Sequence, residues 1–142
     1  MHILCVCTGN TCRSPMLATL LRAQIEASGR SGITVESAGT GAADGDPASA
    51  GARRAMARRG LNLTGHTSRH LDMVDLSAVD LVLCMSSAHA AAVRTHGVPP
   101  QVIRVVNAEQ GGVPDPYGGD DRGYEACARV LGQAAQLVAG EH

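Results

Sequence analysis

Apolar residues fall into two rhythms that alternate along the chain. From His2 to Cys7 a short apolar run, HILCVC, stops at Thr8-Gly9-Asn10. A run that short, closed by turn-forming residues, predicts a strand buried on both faces. Ser14-Pro15 then opens a segment with Met16, Leu17, Leu20, Leu21 and Ile25 at the spacing of one helical face, and Ser28-Gly29 closes it. Ile33-Thr34-Val35 predicts a second strand ending at Ser37-Ala38-Gly39, and the small polar residues from Thr40 to Asp46 predict a loop. A helix is expected to start at Pro47, run through Met56 and stop at Gly60. The stretch VDLVLCM, from Val79 to Met85, predicts a third buried strand. A helix from Ser86 through Val93 follows, broken by Gly97 and Pro99-Pro100. Val102 to Val106 predicts a fourth strand, Gln110 to Gly119 a glycine-rich loop, and Gly123 to Val138 a closing helix.

Strands that alternate with helices and are apolar on both faces predict one α/β domain over residues 1–142, with a parallel sheet covered by helices on both faces. There is no internal repeat and no linker. At 142 residues the chain is long enough to bury one core without disulfides or metals. That core must be aliphatic, since there is no Trp and no Phe. The two tyrosines, Tyr117 and Tyr124, lie close together in sequence and are expected at the surface or in a site.

Twelve basic residues against 13 acidic ones give no overall field for nucleic acid or an anionic membrane, so any partner must be recognised locally. No apolar run approaches a membrane span, and the first strand begins without a basic leader, so a cytoplasmic protein is expected. The five cysteines, at positions 5, 7, 12, 84 and 127, are an odd number on scattered spacings, which predicts free thiols. Cys5 and Cys7 are too close for an ordinary CxxC pair and no second pair follows, so neither a metal site nor a cofactor is expected.

In a parallel sheet, ligands bind beyond the carboxyl ends of the strands, where the strand order reverses. The loop after the first strand is Cys7-Thr8-Gly9-Asn10-Thr11-Cys12-Arg13-Ser14-Pro15. Successive amides of such a turn, from Thr8 to Ser14, together with a helix N-terminus, can cradle phosphate oxygens. Arg13 adds a planar fork for two of them. The same positive surroundings favour a thiolate on Cys7, ready to act as nucleophile. Gly9 and Asn10 both suit the positive φ of a tight cradle. A buried strand-end thiol is the commonest fate of a free cysteine, but an Arg facing a buried strand end has no structural reason to be there. Asp115, in Val113-Pro114-Asp115-Pro116-Tyr117-Gly118-Gly119, is placed to supply the acid that protonates a leaving group and the base that later activates water.

CTGNTCRSP near the N-terminus, SAGT at Ser37 to Thr40 and DPYGG at Asp115 to Gly119 together resemble the three signatures of low-molecular-weight tyrosine phosphatases, in that family's order. The resemblance implies a flavodoxin-like four-stranded parallel sheet, Cys7 as nucleophile, Arg13 as phosphate clamp, Asp115 as general acid and a phosphorylated protein as substrate. It also implies that Ser14 helps activate the thiolate, and that Asn10, Ser37 and His66 support the loop from behind. Cys12 matches a second family cysteine that can pair with the first and shield it from overoxidation; as plain chemistry it is a small apolar helix-start residue. Cys5, Cys84 and Cys127 are expected in the core.

Two features depart from the family's usual form. Thr11 stands where an apolar branched residue is common, and Gly41-Ala42-Ala43-Asp44-Gly45, which should wall the crevice, has no aromatic, leaving only Tyr117 to stack on a ring. Thr11 with DPYGG resembles the protein arginine phosphatase branch. Phosphotyrosine is the leading substrate, as the family's commoner activity, with phosphoarginine the alternative. A thioredoxin-coupled arsenate reductase shares the loop but needs two further neighbouring cysteines; Cys84 is followed by Met85, Ser86, Ser87, Ala88, His89 and Ala90, with no partner thiol. A phosphate-binding module without activity would not need Cys7, Arg13 and Asp115 together.

Overall fold

The computed structural model describes all 142 residues. Four parallel strands, β1 (His2–Cys7), β2 (Thr34–Gly39), β3 (Leu81–Cys84) and β4 (Ile103–Val105), form one sheet in the order β2-β1-β3-β4. Every strand pair is parallel, with Cys7 opposite Gly39 at the end of the first pair. Connections that leave β1 to one side and return to the other put the reversal of strand order between β1 and β3. A crevice opens at their carboxyl ends, as in other sheets of this kind.

Four helices cover the sheet: α1 (Arg13–Ala27), α2 (Ala50–Ala57), α3 (Ser87–Thr95) and α4 (Asp121–Glu141). Because side chains alternate along a strand, β1 feeds two cores. Ile3, Cys5 and Cys7 join α1, α2 and α4 in a cluster of 28 buried residues. Leu4 and Val6 join Val82, Cys84 and Val93 in a cluster of nine on the α3 side. Both faces of β1 are thus apolar, as its unbroken run required.

Some expected boundaries moved, each for a local reason. The second helix starts at Ala50 and not at Pro47, because Ser49 caps it by accepting from the Ala52 N–H, while Pro47 pairs in an isolated bridge with Thr67. The closing helix runs from Asp121 to Glu141, longer at both ends than its apolar face, with Asp120 as its cap. The fourth strand is an edge strand with Arg104 exposed, so it is not apolar on both faces.

Candidate active site

Ser49, Ser86 and Asp120 cap α2, α3 and α4 with their side chains, whereas Cys12 at the head of α1 makes no side-chain cap. The first N–H groups of α1 therefore stay free where β1 ends, which suits an anion. The start of α1 is also buried: Arg13 is 7% exposed and Ser14 fully enclosed.

Asn10 organises the loop between them. It is one of two non-glycine residues at positive φ, at 57°, and is wholly buried. Gly9 was expected to share that conformation and does not. A single left-handed residue turns the chain, and Asn10 takes that position because its side chain is tied on both sides. Its Nδ2 donates to Ser14 Oγ and to Ser37 Oγ, each at 2.9 Å, and its Oδ1 accepts from the Arg69 N–H at 3.0 Å. Its carbonyl lies 2.7 Å from His66 Nε2. Burial, aided by Arg22 and opposed by the bond to Asn10, holds the His66 pKa below its ordinary value. The ring is then neutral near pH 7 and, since a carbonyl can only accept, it donates from Nε2.

The same residue reaches the sulfur. The Asn10 N–H points to Cys7 Sγ at 3.3 Å, and Ser14 Oγ lies 2.9 Å from that sulfur. Ser14 already accepts from Asn10, and its alternative acceptor, the Ala38 carbonyl, is more distant at 3.5 Å. The Ser14 proton is therefore available to Cys7, and two donors converge on one buried sulfur.

Gly39 lets β2 end against this loop. A Cβ there would sit 2.3 Å from the Thr8 carbonyl and 2.8 Å from Ala42 Cβ. The Ser-Ala-Gly sequence thus supplies one support for Asn10 and the one residue small enough to pass.

Arg13 crosses to the loop that carries Asp115. Its Nη1 donates to the Val113 carbonyl at 2.9 Å, and its Nη2 lies 3.6 Å from Asp115 Oδ2. A guanidinium carries five N–H groups, so the fork keeps donors for an anion. Asp115 is half exposed, and its Oδ1 accepts from the Tyr117 N–H at 3.0 Å, a turn that fixes the carboxyl over the crevice. The crevice holds about 740 Å³ and is lined by Cys7, Thr8, Thr11, Arg13, Asp115 and Tyr117 among others.

The structure brings together Cys7, Arg13, Asp115, the loop from Thr8 to Ser14, Ser37, His66 and Tyr117. Tyr124 departs from expectation. It is 4% exposed, packs its ring over Gly51 of α2, and sets its hydroxyl 3.4 Å from Cys12 Sγ. Burial, with the bond to Cys12 next, pushes that phenol up to about 12. Cys12 is a free buried thiol, also 3.2 Å from Ser49 Oγ. Cys84 and Cys127 are buried too, their thiols pushed up to about 12. The residues that sequence reasoning missed at the site are Asp46 and Arg53 on the crevice wall and His89 behind Thr8. Nothing in their spacing marks them, since tertiary contact alone brings them there.

A buried cysteine, an arginine clamp, free helix N–H groups and a carboxylic acid facing them can carry out phosphoryl transfer. The family model described as low molecular weight phosphotyrosine protein phosphatase matches residues 2–141. The chain belongs to that family. Like the rest of the low molecular weight phosphotyrosine protein phosphatases, it is a hydrolase. It is 37% identical to the probable low molecular weight protein-tyrosine-phosphatase EpsP of Ralstonia nicotianae, over 91% of this chain and 87% of that one. A solved low molecular weight protein tyrosine phosphatase from T. tengcongensis superposes with a TM-score of 0.93 at 31% identity, covering 100% and 99% of the two chains. A mutant YwlE arginine phosphatase with a phosphorylated active-site serine gives a TM-score of 0.91 at 30% identity, over 99% and 95%.

Proposed function

We propose that this phosphatase hydrolyses phosphotyrosine in proteins through a phosphocysteine on Cys7. The observation that carries the reading is the convergence of the Asn10 N–H and the Ser14 hydroxyl on Cys7 Sγ, opposite the Arg13–Asp115 pair. Donors aimed at sulfur stabilise its negative charge before attack and again as it leaves. In the first step the thiolate attacks phosphorus, the ester bond breaks, and the leaving oxygen takes the Asp115 proton. In the second step water attacks the phosphocysteine, gives its proton to Asp115, and releases phosphate and thiolate. The solved relative with a phosphorylated active-site serine supports a phosphoenzyme at the equivalent place.

Phosphoarginine is the second reading. It is favoured by Thr11 and by crevice walls of Gly41, Ala42 and Ala43, which leave Tyr117 as the one aromatic lining residue, and a relative of that activity shares the fold. Parallel hydrolysis of phosphotyrosine and phosphoarginine peptides decides between them. Cys7→Ser is expected to fold normally and lose turnover, and orthovanadate to inhibit the parent. Chelation should leave the rate unchanged, because loop amides and Arg13 supply the positive field. Activity of Cys7→Ser within about tenfold of the parent would overturn the mechanism.

A further inference from the structure

Behind the phosphate loop lies a buried imidazole that the mechanism above does not use. His89, on α3, is 5% exposed. Its Nε2 lies 2.7 Å from Thr8 Oγ1 and its Nδ1 lies 3.0 Å from Ser86 Oγ. Ser86 is itself fixed as the cap of α3, its Oγ accepting from the His89 N–H at 3.3 Å. Both ring nitrogens are thus engaged, in a chain that runs from the head of α3 to the residue after Cys7.

A neutral ring can satisfy these contacts in two ways. With the proton on Nδ1, His89 donates to Ser86, Thr8 donates to Nε2, and Thr8 turns only lone pairs to the crevice it lines. With the proton on Nε2, Ser86 donates to Nδ1, His89 donates to Thr8 Oγ1, and the Thr8 proton is left for a group in the crevice. A phosphoryl group offers acceptors alone and is anionic, so its arrival favours the second arrangement. Burial, reinforced by Arg13 and opposed by Asp115, keeps the His89 pKa below its ordinary value, so the ring is neutral and both tautomers are open to it.

We propose that His89 is a positioning residue for phosphoryl transfer: it donates from Nε2 to the Thr8 hydroxyl, accepts from Ser86 at Nδ1, and so directs the Thr8 proton to a phosphoryl oxygen. The proposal rests on the phosphocysteine reading but adds a donor which that reading does not require. It is tested with Thr8→Ser, Thr8→Val, His89→Gln, His89→Ala and the double variant Thr8→Val/His89→Ala, each measured for kcat, KM, orthovanadate inhibition and thermal unfolding.

Thr8→Val and His89→Ala should each weaken vanadate inhibition and lower kcat by about tenfold, the effect of one hydrogen bond to an anionic group. The double variant should be no worse than either single one, because both remove the same donor. Thr8→Ser and His89→Gln, whose amide can still donate to the hydroxyl, should recover most of the loss. A purely structural His89 would give additive losses, a Thr8→Val enzyme with parental vanadate affinity, and lowered unfolding temperatures for both His89 variants. That pattern overturns the proposal. If His89→Ala does not fold, Thr8→Val decides alone, and parental vanadate affinity again overturns it. A parent that neither turns over nor binds vanadate would sink the phosphocysteine reading and this inference together. An active parent indifferent to the Thr8 hydroxyl sinks only this one.

Discussion

Thr11 lines the crevice, and its carbonyl accepts from the Ser49 N–H at 2.9 Å, so its backbone is held whatever side chain it carries. Substitution there changes the crevice and spares the loop. An Ile would add apolar contact for a flat phenyl ring, on the order of a kilocalorie per mole per methylene-sized group. It would also take a hydrogen-bonding group from a phosphoguanidine, a loss of roughly 1–3 kcal/mol where a buried polar group goes unpaired. If Thr11 sets a preference for phosphoarginine, Thr11→Ile should lower phosphoarginine turnover while sparing or raising phosphotyrosine turnover. Parallel changes on both substrates would make Thr11 a packing residue, and kcat/KM on the two peptides distinguishes these outcomes.

Between elements, the contact of α2 with α4 fixes one side of the site. Arg54 pairs with Asp121, and Arg58 and Arg59 pair with Glu125, but these groups are partly to half exposed at the surface and such pairs contribute little. The close contact is Gly51 against the Tyr124 ring, where a Cβ on Gly51 would lie 2.3 Å from the ring edge. Gly→Ala in a helix ordinarily stabilises by roughly 1 kcal/mol. Here the buried ring cannot retreat without disturbing Cys12 and Ser49, so overpacking should cost on the order of 1–3 kcal/mol and win. Gly51→Ala is expected to lower the unfolding temperature by several degrees. A rise in the calorimetric midpoint would show that the two helices can separate freely.

For the whole molecule, three histidines set opposing trends with pH. His66 and His89 have folded pKa values below their unfolded ones. Their contribution is present above the unfolded value of about 6.5 and is lost as pH falls through the folded values. His96 is raised by its bonds to the Ala92 carbonyl and to Asp72, so its contribution is present below about 6.5 and lost as pH rises through its folded value. On acidification from about pH 7 to about pH 5, His66 and His89 therefore pull the denaturant midpoint down while His96 pulls it up, and His66→Gln should remove part of the downward pull. Parallel curves for the two proteins would mean that His66 is not held neutral by burial.

Unbroken apolar runs at β1 and β3 fixed the parallel sheet in the sequence itself, because a strand covered by helices on both faces has no room for alternation. Cys7, Arg13 and the loop between them were legible for a related reason: a phosphate cradle is made of consecutive amides, so its parts must be consecutive residues. Separation in sequence hid the rest. Thr8 and His89 are 81 residues apart, and Cys12 and Tyr124 are 112 apart. Tyr124 was expected at the surface or in a site because a tyrosine hydroxyl usually needs water, and only the fold shows Cys12 meeting that need inside the core. Asn10 combines both kinds of information. Its tolerance of positive φ is local chemistry, while its four partners, Ser14, Ser37, His66 and Arg69, include three from two further parts of the chain, β2 and the segment from His66 to Arg69. The sequence determined which groups could do the chemistry, since reactivity and local backbone preference belong to single residues and their neighbours. The tertiary structure alone decided what holds those groups in place, since packing is settled by contacts that chain separation does not reveal.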